Sequence, residues 1–138
     1  MKKSLGQNFL IDQNIIKKIV NLKDIRNKDV IEIGPGKGAL TKEILKKNPK
    51  SLILIEKDSS LVEELEKRFS KEKCLKIFNA DILKFDIEKF IKSKSVIMGN
   101  LPYNISSQIL VKILNFSGPK TSLVIFLATF SEYFTPSI

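Results

Sequence analysis

The 138-residue sequence contains no histidine, a single cysteine (Cys74) and only two arginines, Arg26 and Arg68, among 24 basic residues. Without imidazole there is no His-based acid–base or triad chemistry, and with one cysteine there is neither a disulfide framework nor a Cys/His zinc site, so no metal is expected. No stretch approaches the roughly 20 apolar residues of a membrane span, and Met1-Lys2-Lys3-Ser4-Leu5-Gly6 lacks the apolar core of a signal peptide, which predicts a cytoplasmic protein with no membrane partner. Internal repeats, low-complexity tracts and interdomain linkers are also missing.

A hydrophobic content of 43% in this length suits one domain with a real core. The formal charge of +9 points to a polyanionic partner through counterion release, although lysine in place of arginine almost throughout is also what low-GC coding produces. Apolar periodicity predicts an alternating chain. A helix covers 12–21, with Asp12 as N-cap and Ile15, Ile16, Ile19 and Val20 as its stripe. A strand at 29–33 is followed by a glycine turn and a helix over 38–47; a strand at 51–55 is followed by a helix capped by Ser59 or Ser60, with Leu61, Val62, Leu65 and Phe69 on one face. Further strands fall at 75–78, 95–98 and 121–127, with a weak helical segment over 82–91 and a helix marked by Ile105, Ile109, Leu110, Ile113 and Leu114. Such alternation implies a mostly parallel sheet covered on both faces.

In an open parallel sheet, ligands sit beyond the carboxyl ends of the strands. Gly34-Pro35-Gly36-Lys37-Gly38-Ala39 stands at such an end and satisfies the dinucleotide pattern, with Glu56 closing the next strand where it can bind ribose hydroxyls. An NAD-dependent oxidoreductase is therefore one reading. Glu32, inside the strand two residues before the turn, suits a ligand of positive charge better, and S-adenosylmethionine is one. Asp81, ending the third strand, can accept from an adenine amine. Each has a plain structural alternative: Gly34 and Gly36 as turn glycines, Glu32 and Glu56 as strand-end charges, Asp81 as a helix cap.

Asn100-Leu101-Pro102-Tyr103 ends the fourth strand. An exocyclic adenine amine is a poor nucleophile, and a site that methylates it needs carbonyl oxygens to orient both N–H bonds and an aromatic face to hold a flipped base. Asn100 offers a side-chain carbonyl, Pro102 fixes the turn so that the Leu101 carbonyl can face the same place, and Tyr103 offers the ring. Catalysis would be alignment of amine and methyl group, with no strong base. The alternative is an ordinary strand-to-helix turn in which Asn100 caps, Pro102 starts the helix and Tyr103 packs.

Ser4-Leu5-Gly6-Gln7-Asn8-Phe9-Leu10-Ile11-Asp12, Glu32-Ile33-Gly34-Pro35-Gly36, Glu56-Lys57-Asp58, Asn79-Ala80-Asp81 and Asn100-Leu101-Pro102-Tyr103-Asn104-Ile105-Ser106 together resemble the ribosomal RNA adenine N6,N6-dimethyltransferases, from about Lys3 to Phe126. They are most similar to the branch that dimethylates two adjacent adenines in a hairpin near the 3′ end of small-subunit rRNA. The resemblance implies a Rossmann-like, class I S-adenosylmethionine-dependent methyltransferase fold, an α/β sheet of order 3-2-1-4-5. It assigns cofactor contacts to Gln7, Asn8, Leu10, Gly34, Glu56, Asp81 and Asn100, beside Glu32 and Gly36 at the turn, and target-base contacts to Asn100, Leu101 and Tyr103, with Pro102 completing the catalytic motif. The implied partner is small-subunit rRNA in an immature small ribosomal subunit, the complete protein being monomeric. A related branch, which methylates a large-subunit rRNA adenine and confers macrolide resistance, typically lacks the Leu-Gly before Gln-Asn-Phe and reads Asn-Ile-Pro in the fourth motif. A non-catalytic rRNA-binding assembly factor on the same fold is the alternative from another class.

The resemblance implies two further strands and a C-terminal helical domain beyond the fifth strand. The residues 127–138, "LATFSEYFTPSI", do not match that continuation. The expectation is thus an incomplete methyltransferase domain over 1–126 with a divergent tail over 127–138, a truncated form of weak or no activity.

Overall fold

The computed structural model describes residues 13–116, Gly118 and 123–129. The predicted α/β alternation is present. In chain order the elements are α1 (Gln13–Val20), β1 (Asp29–Ile33), α2 (Ala39–Lys46), β2 (Ser51–Glu56), α3 (Ser59–Arg68), β3 (Leu75–Asn79), a 3-10 turn (Ile87–Phe90), β4 (Val96–Pro102), α4 (Tyr103–Leu114) and β5 (Leu123–Thr129). All five strands are parallel, in the order β3-β2-β1-β4-β5. Ile31 of β1 stands in register with Ile53 of β2 on one side and Ile97 of β4 on the other.

Burial of both sheet faces explains the near-continuous apolar strands. Val30, Leu52, Leu54, Val96 and Met98 point to one face, where Ile16, Ile19 and Val20 of α1, Leu40 and Ile44 of α2 and Leu65 of α3 cover them. Ile31, Ile33, Ile55 and Ile97 point to the other, under Ile109 and Ile113 of α4 and Ile82, Ile87 and Ile91 of the β3–β4 connection. Among the described residues no helix is long and apolar enough to cross a membrane.

Three local expectations are corrected. The cap of α3 is Asp58, whose Oδ1 accepts from the N–H groups of Ser60 and Leu61 and from the Ser60 hydroxyl, while Ser59, inside the helix, donates its hydroxyl to Asn79. The segment 82–91 is a turn followed by the short 3-10 turn instead of a helix. Its first N–H groups, those of Leu83, Lys84 and Phe85, fold back onto Asp81, and Phe78, Phe85 and Phe90 pack with ring centroids 5.0–5.3 Å apart, so aromatic contact holds what a helix ladder does not. Finally, β4 runs on through Asn100, Leu101 and Pro102. The Asp12 cap and most of the 127–138 tail lie outside the described residues, although β5 itself reaches Thr129.

Candidate active site

The site is built at the carboxyl ends of β1, β2, β3 and β4. The turn after β1 carries three positive-φ glycines, Gly34, Gly36 and Gly38. A β-carbon on Gly36 would meet no atom within 4 Å, which leaves space beside the turn for a ligand to approach the backbone. The Gly36 N–H donates to Oε1 of Glu56 at 3.1 Å, and the Asp58 N–H donates to Oε2 of the same carboxylate at 2.9 Å. Glu56 is thereby fixed between two turns, with one lone pair on each oxygen still directed elsewhere. Asn79 supports the same place, its amide donating to the backbone carbonyls of Glu56 and Lys57. Asp81 caps the turn that follows β3 through Oδ1 and faces the Lys57 ammonium at 3.8 Å through Oδ2.

Glu32 is the last side chain of β1 on the face that α1 and α2 cover and is 2% exposed. Its Oε1 accepts from the Thr41 hydroxyl of α2 at 2.6 Å. Burial pushes its pKa up to about 8, against the lowering by Thr41 and with a further rise from the Glu56 carboxylate. An ionised Glu32 is therefore not the resting form near neutral pH, which qualifies the expectation of a standing negative charge there.

Pro102, with φ −54° and ψ 144°, ends β4 and is the N-cap position of α4, and Tyr103, 42% exposed, starts the helix. Asn100 does not cap the helix: no side-chain bond caps α4. Its Oδ1 is buried without a hydrogen-bond partner, one of two such side-chain atoms among the described residues; the other is Oγ of Ser106. A buried orphan acceptor costs about 1–3 kcal/mol, so this carbonyl fits a donor supplied by a ligand. The end of β4 and the glycine turn touch directly. A β-carbon on Gly34 would lie 2.8 Å from Cδ2 of Leu101 and 4.0 Å from the Asn100 backbone oxygen. The structure thus brings together Glu32, Gly34, Gly36, Glu56, Asp81, Asn100, Leu101, Pro102 and Tyr103 at one end of the sheet; Gln7, Asn8 and Leu10 lie outside the described residues.

Three residues of this region were not singled out from the sequence. Thr41 has a signal in retrospect, a hydroxyl on the apolar face of α2 opposite a strand carboxyl. Ser106 continues the buried stripe of Ile109 and Ile113 toward the crevice, and Lys112 donates to the Phe85 carbonyl at 2.8 Å, tying α4 to the turn after Asp81. Lys112 carries no mark in the sequence pattern, and Ser106 stands there only as the last residue of the Asn100-to-Ser106 motif, with no role assigned.

The open glycine turn, the fixed strand-end carboxylate and the orphan carbonyl suit an adenosyl cofactor and an amine donor. The fold is that of the Rossmann-like S-adenosylmethionine-dependent methyltransferases. Residues 1–135 match the family model described as ribosomal RNA adenine dimethylase, and the chain belongs to that family. The match extends past Phe126. The chain is 55% identical over 115 residues to "Ribosomal RNA small subunit methyltransferase A" of Pelagibacter ubique, covering 83% of this chain and 43% of that protein. To the protein of the same name in Francisella tularensis subsp. novicida it is 49% identical over 120 residues, 84% of this chain and 45% of that one. The chain therefore spans less than half the length of these curated relatives. A dimethyladenosine transferase from Plasmodium falciparum superposes with a TM-score of 0.68 at 31% identity, over 82% of this chain and 41% of that one. The 23S rRNA methyltransferase ErmE superposes with 0.69 at 29% identity, over 80% and 44%. An RNA methyltransferase from Salinibacter ruber, solved with S-adenosyl-L-homocysteine, shares the fold with 0.68 at 18% identity, over 83% of this chain and 76% of that one.

Proposed function

We propose that this chain carries the cofactor and target-base site of a small-subunit rRNA adenine N6,N6-dimethyltransferase that uses S-adenosylmethionine. In this reading residues 1–126 form one cofactor-binding unit, the natural substrate is an immature small ribosomal subunit in the cytoplasm, and the complete enzyme acts as a monomer. The observation that carries the reading is the buried, unpartnered Oδ1 of Asn100 at the end of β4, next to Leu101, whose side chain packs on Gly34. It puts an acceptor for an amine N–H beside the backbone that would hold the cofactor. The greater identity to the small-subunit proteins than to the 23S rRNA methyltransferase favours the small-subunit substrate.

Bound at the turn, the cofactor supplies an electrophilic methyl group on a sulfonium. Gln7, Asn8, Leu10, Gly34 and Gly36 would line it, Glu56 would accept from its ribose hydroxyls and Asp81 from its adenine amine. Asn100 accepts from the target amine and directs the nitrogen lone pair, with the Leu101 carbonyl as second acceptor. Pro102 holds the turn rigid, and Tyr103 offers a half-exposed ring on which an extruded adenine stacks, worth about 1–3 kcal/mol. Alignment replaces base catalysis, consistent with a sequence without histidine.

The test is titration calorimetry of S-adenosylmethionine and of NAD into the chain, together with transfer of labelled methyl groups by the complete enzyme to small subunits that lack the modification. Binding of the first ligand only, with dimethyladenosine formed at two adjacent positions, is the expected outcome. Preference for NAD overturns the cofactor assignment, and labelling of large-subunit rRNA instead overturns the substrate assignment.

A further inference from the structure

Glu32 poses an unusual problem for a residue so close to a ligand crevice. Its carboxyl is buried to 2% exposure, its one recorded hydrogen bond is from an uncharged hydroxyl, Thr41 at 2.6 Å, and β2 and β4 place Leu54 and Met98 in register on either side. The charged group that faces it is another acid, Glu56, and among the described residues no Lys or Arg pairs with it. Ionising a carboxyl in such surroundings costs several kcal/mol, so the acid keeps its proton. The rise of its pKa to about 8 has the same origin.

A cation at the strand ends reverses that balance, since an opposite charge within a few ångströms favours the ionised form. We propose that Glu32, held by Thr41, distinguishes cationic cofactor from neutral product: it releases its proton to solvent when the sulfonium compound binds and recovers one from solvent when the thioether remains after methyl transfer. This rests on the cofactor assignment above. Two consequences follow from linkage. Affinity for S-adenosylmethionine rises with pH up to about 8, whereas affinity for S-adenosylhomocysteine lacks that dependence. Reprotonation of Glu32 also removes the charge that would otherwise retain a ligand in the site, which favours exchange of product for fresh cofactor.

The experiment is calorimetry of the whole chain at pH 7 in buffers of different ionisation enthalpy, which counts protons exchanged per ligand. A carboxyl of pKa about 8 is about nine-tenths protonated at that pH, so about 0.9 proton should leave with S-adenosylmethionine beyond the number seen with E32Q. The E32Q comparison subtracts the ligand's own amine. S-adenosylhomocysteine should show no such excess. Difference infrared spectroscopy of the wild-type chain reads the same event without a variant: the protonated-carboxyl stretch should vanish with S-adenosylmethionine and persist with S-adenosylhomocysteine. Binding of both ligands with equal proton counts and an unchanged carboxyl band overturns this proposal and leaves the cofactor assignment standing. Failure of S-adenosylmethionine to bind overturns both.

Discussion

A methyl group added at Gly34 tests whether the glycine turn and the end of β4 that carries Asn100 are one mechanical unit. Gly34 has φ +66°, and its new β-carbon would stand 2.8 Å from Cδ2 of Leu101, well inside the ~3.5–4.0 Å of ordinary carbon contact. Left-handed backbone costs an L residue roughly 1–2 kcal/mol. Moving buried Leu101 aside adds about 1–3 kcal/mol of overpacking, so Gly34→Ala should cost about 2–5 kcal/mol. Gly36→Ala is the internal control. It shares the positive φ, +57°, but meets nothing within 4 Å, and should cost only the backbone share, about 1–2 kcal/mol. Urea unfolding of both variants, and of Gly34→Ala in a Leu101→Ala background, supplies the comparison. In that background the Gly34→Ala penalty should fall to the Gly36→Ala value. Equal penalties for the two glycines, or a Gly34 penalty indifferent to Leu101, would refute the direct contact and with it the idea that the cofactor loop sets the position of Asn100.

Glu56→Ala should weaken S-adenosylmethionine binding by about 1.5–3 kcal/mol through lost charged hydrogen bonds, read by calorimetry; unchanged affinity would remove Glu56 from the site. Glu32 holds its proton to about pH 8 when folded but only to about 4.5 when unfolded. The folded chain therefore binds more protons across that window and loses stability as pH rises through it, by up to about 4–5 kcal/mol at about 1.4 kcal/mol per unit. Denaturant titrations should show that slope in the wild type and a flat profile in Glu32→Gln. Asp58→Ala should cost about 1 kcal/mol in the same assay through loss of the α3 cap, whereas Ser59→Ala should cost less. Asn100→Ala should leave stability unchanged or raised, because an orphan carbonyl is removed, yet depress methyl-transfer turnover of the complete enzyme, whereas Tyr103→Ala there should chiefly weaken engagement of the RNA.

The strand–turn–helix order was legible because apolar runs such as Val30-Ile31 and Leu52-Ile53-Leu54-Ile55 are packed on both faces and leave no alternation to confuse the reading. The grouping of Gly34, Glu56, Asp81 and Asn100 followed from parallel topology alone, which sends every strand end to one side. What escaped depends on distances that no spacing encodes. Asp58 and Ser59 are both good caps, and only the path of the chain out of β2 decides between them. The periodicity of 82–91 is helical, but Asp81 takes the first N–H groups and the three phenylalanines set a tighter course. Thr41 and Glu32 are nine residues apart and reveal their bond only when α2 folds back over β1. Gly34 read as a turn residue; the close approach of Leu101, 67 positions later, gives it a second reason to be glycine.

The two backbone N–H groups gathered by Glu56 have a consequence for chemistry at that position before any ligand arrives. Each carboxylate oxygen serves one donor, Gly36 on Oε1 and Asp58 on Oε2, so the side chain has already surrendered its rotational freedom, a loss of up to about 2 kcal/mol that ligand binding need not incur again. A glutamine of the same shape has one oxygen and one NH2. Whichever way its amide is turned, a donor faces a donor, and either the glycine turn or the start of α3 loses its anchor. An acid is therefore required as a symmetric acceptor that registers two loops against each other, and under the cofactor reading proposed above the same fixing would present its remaining lone pairs, already aimed, to the ribose diol.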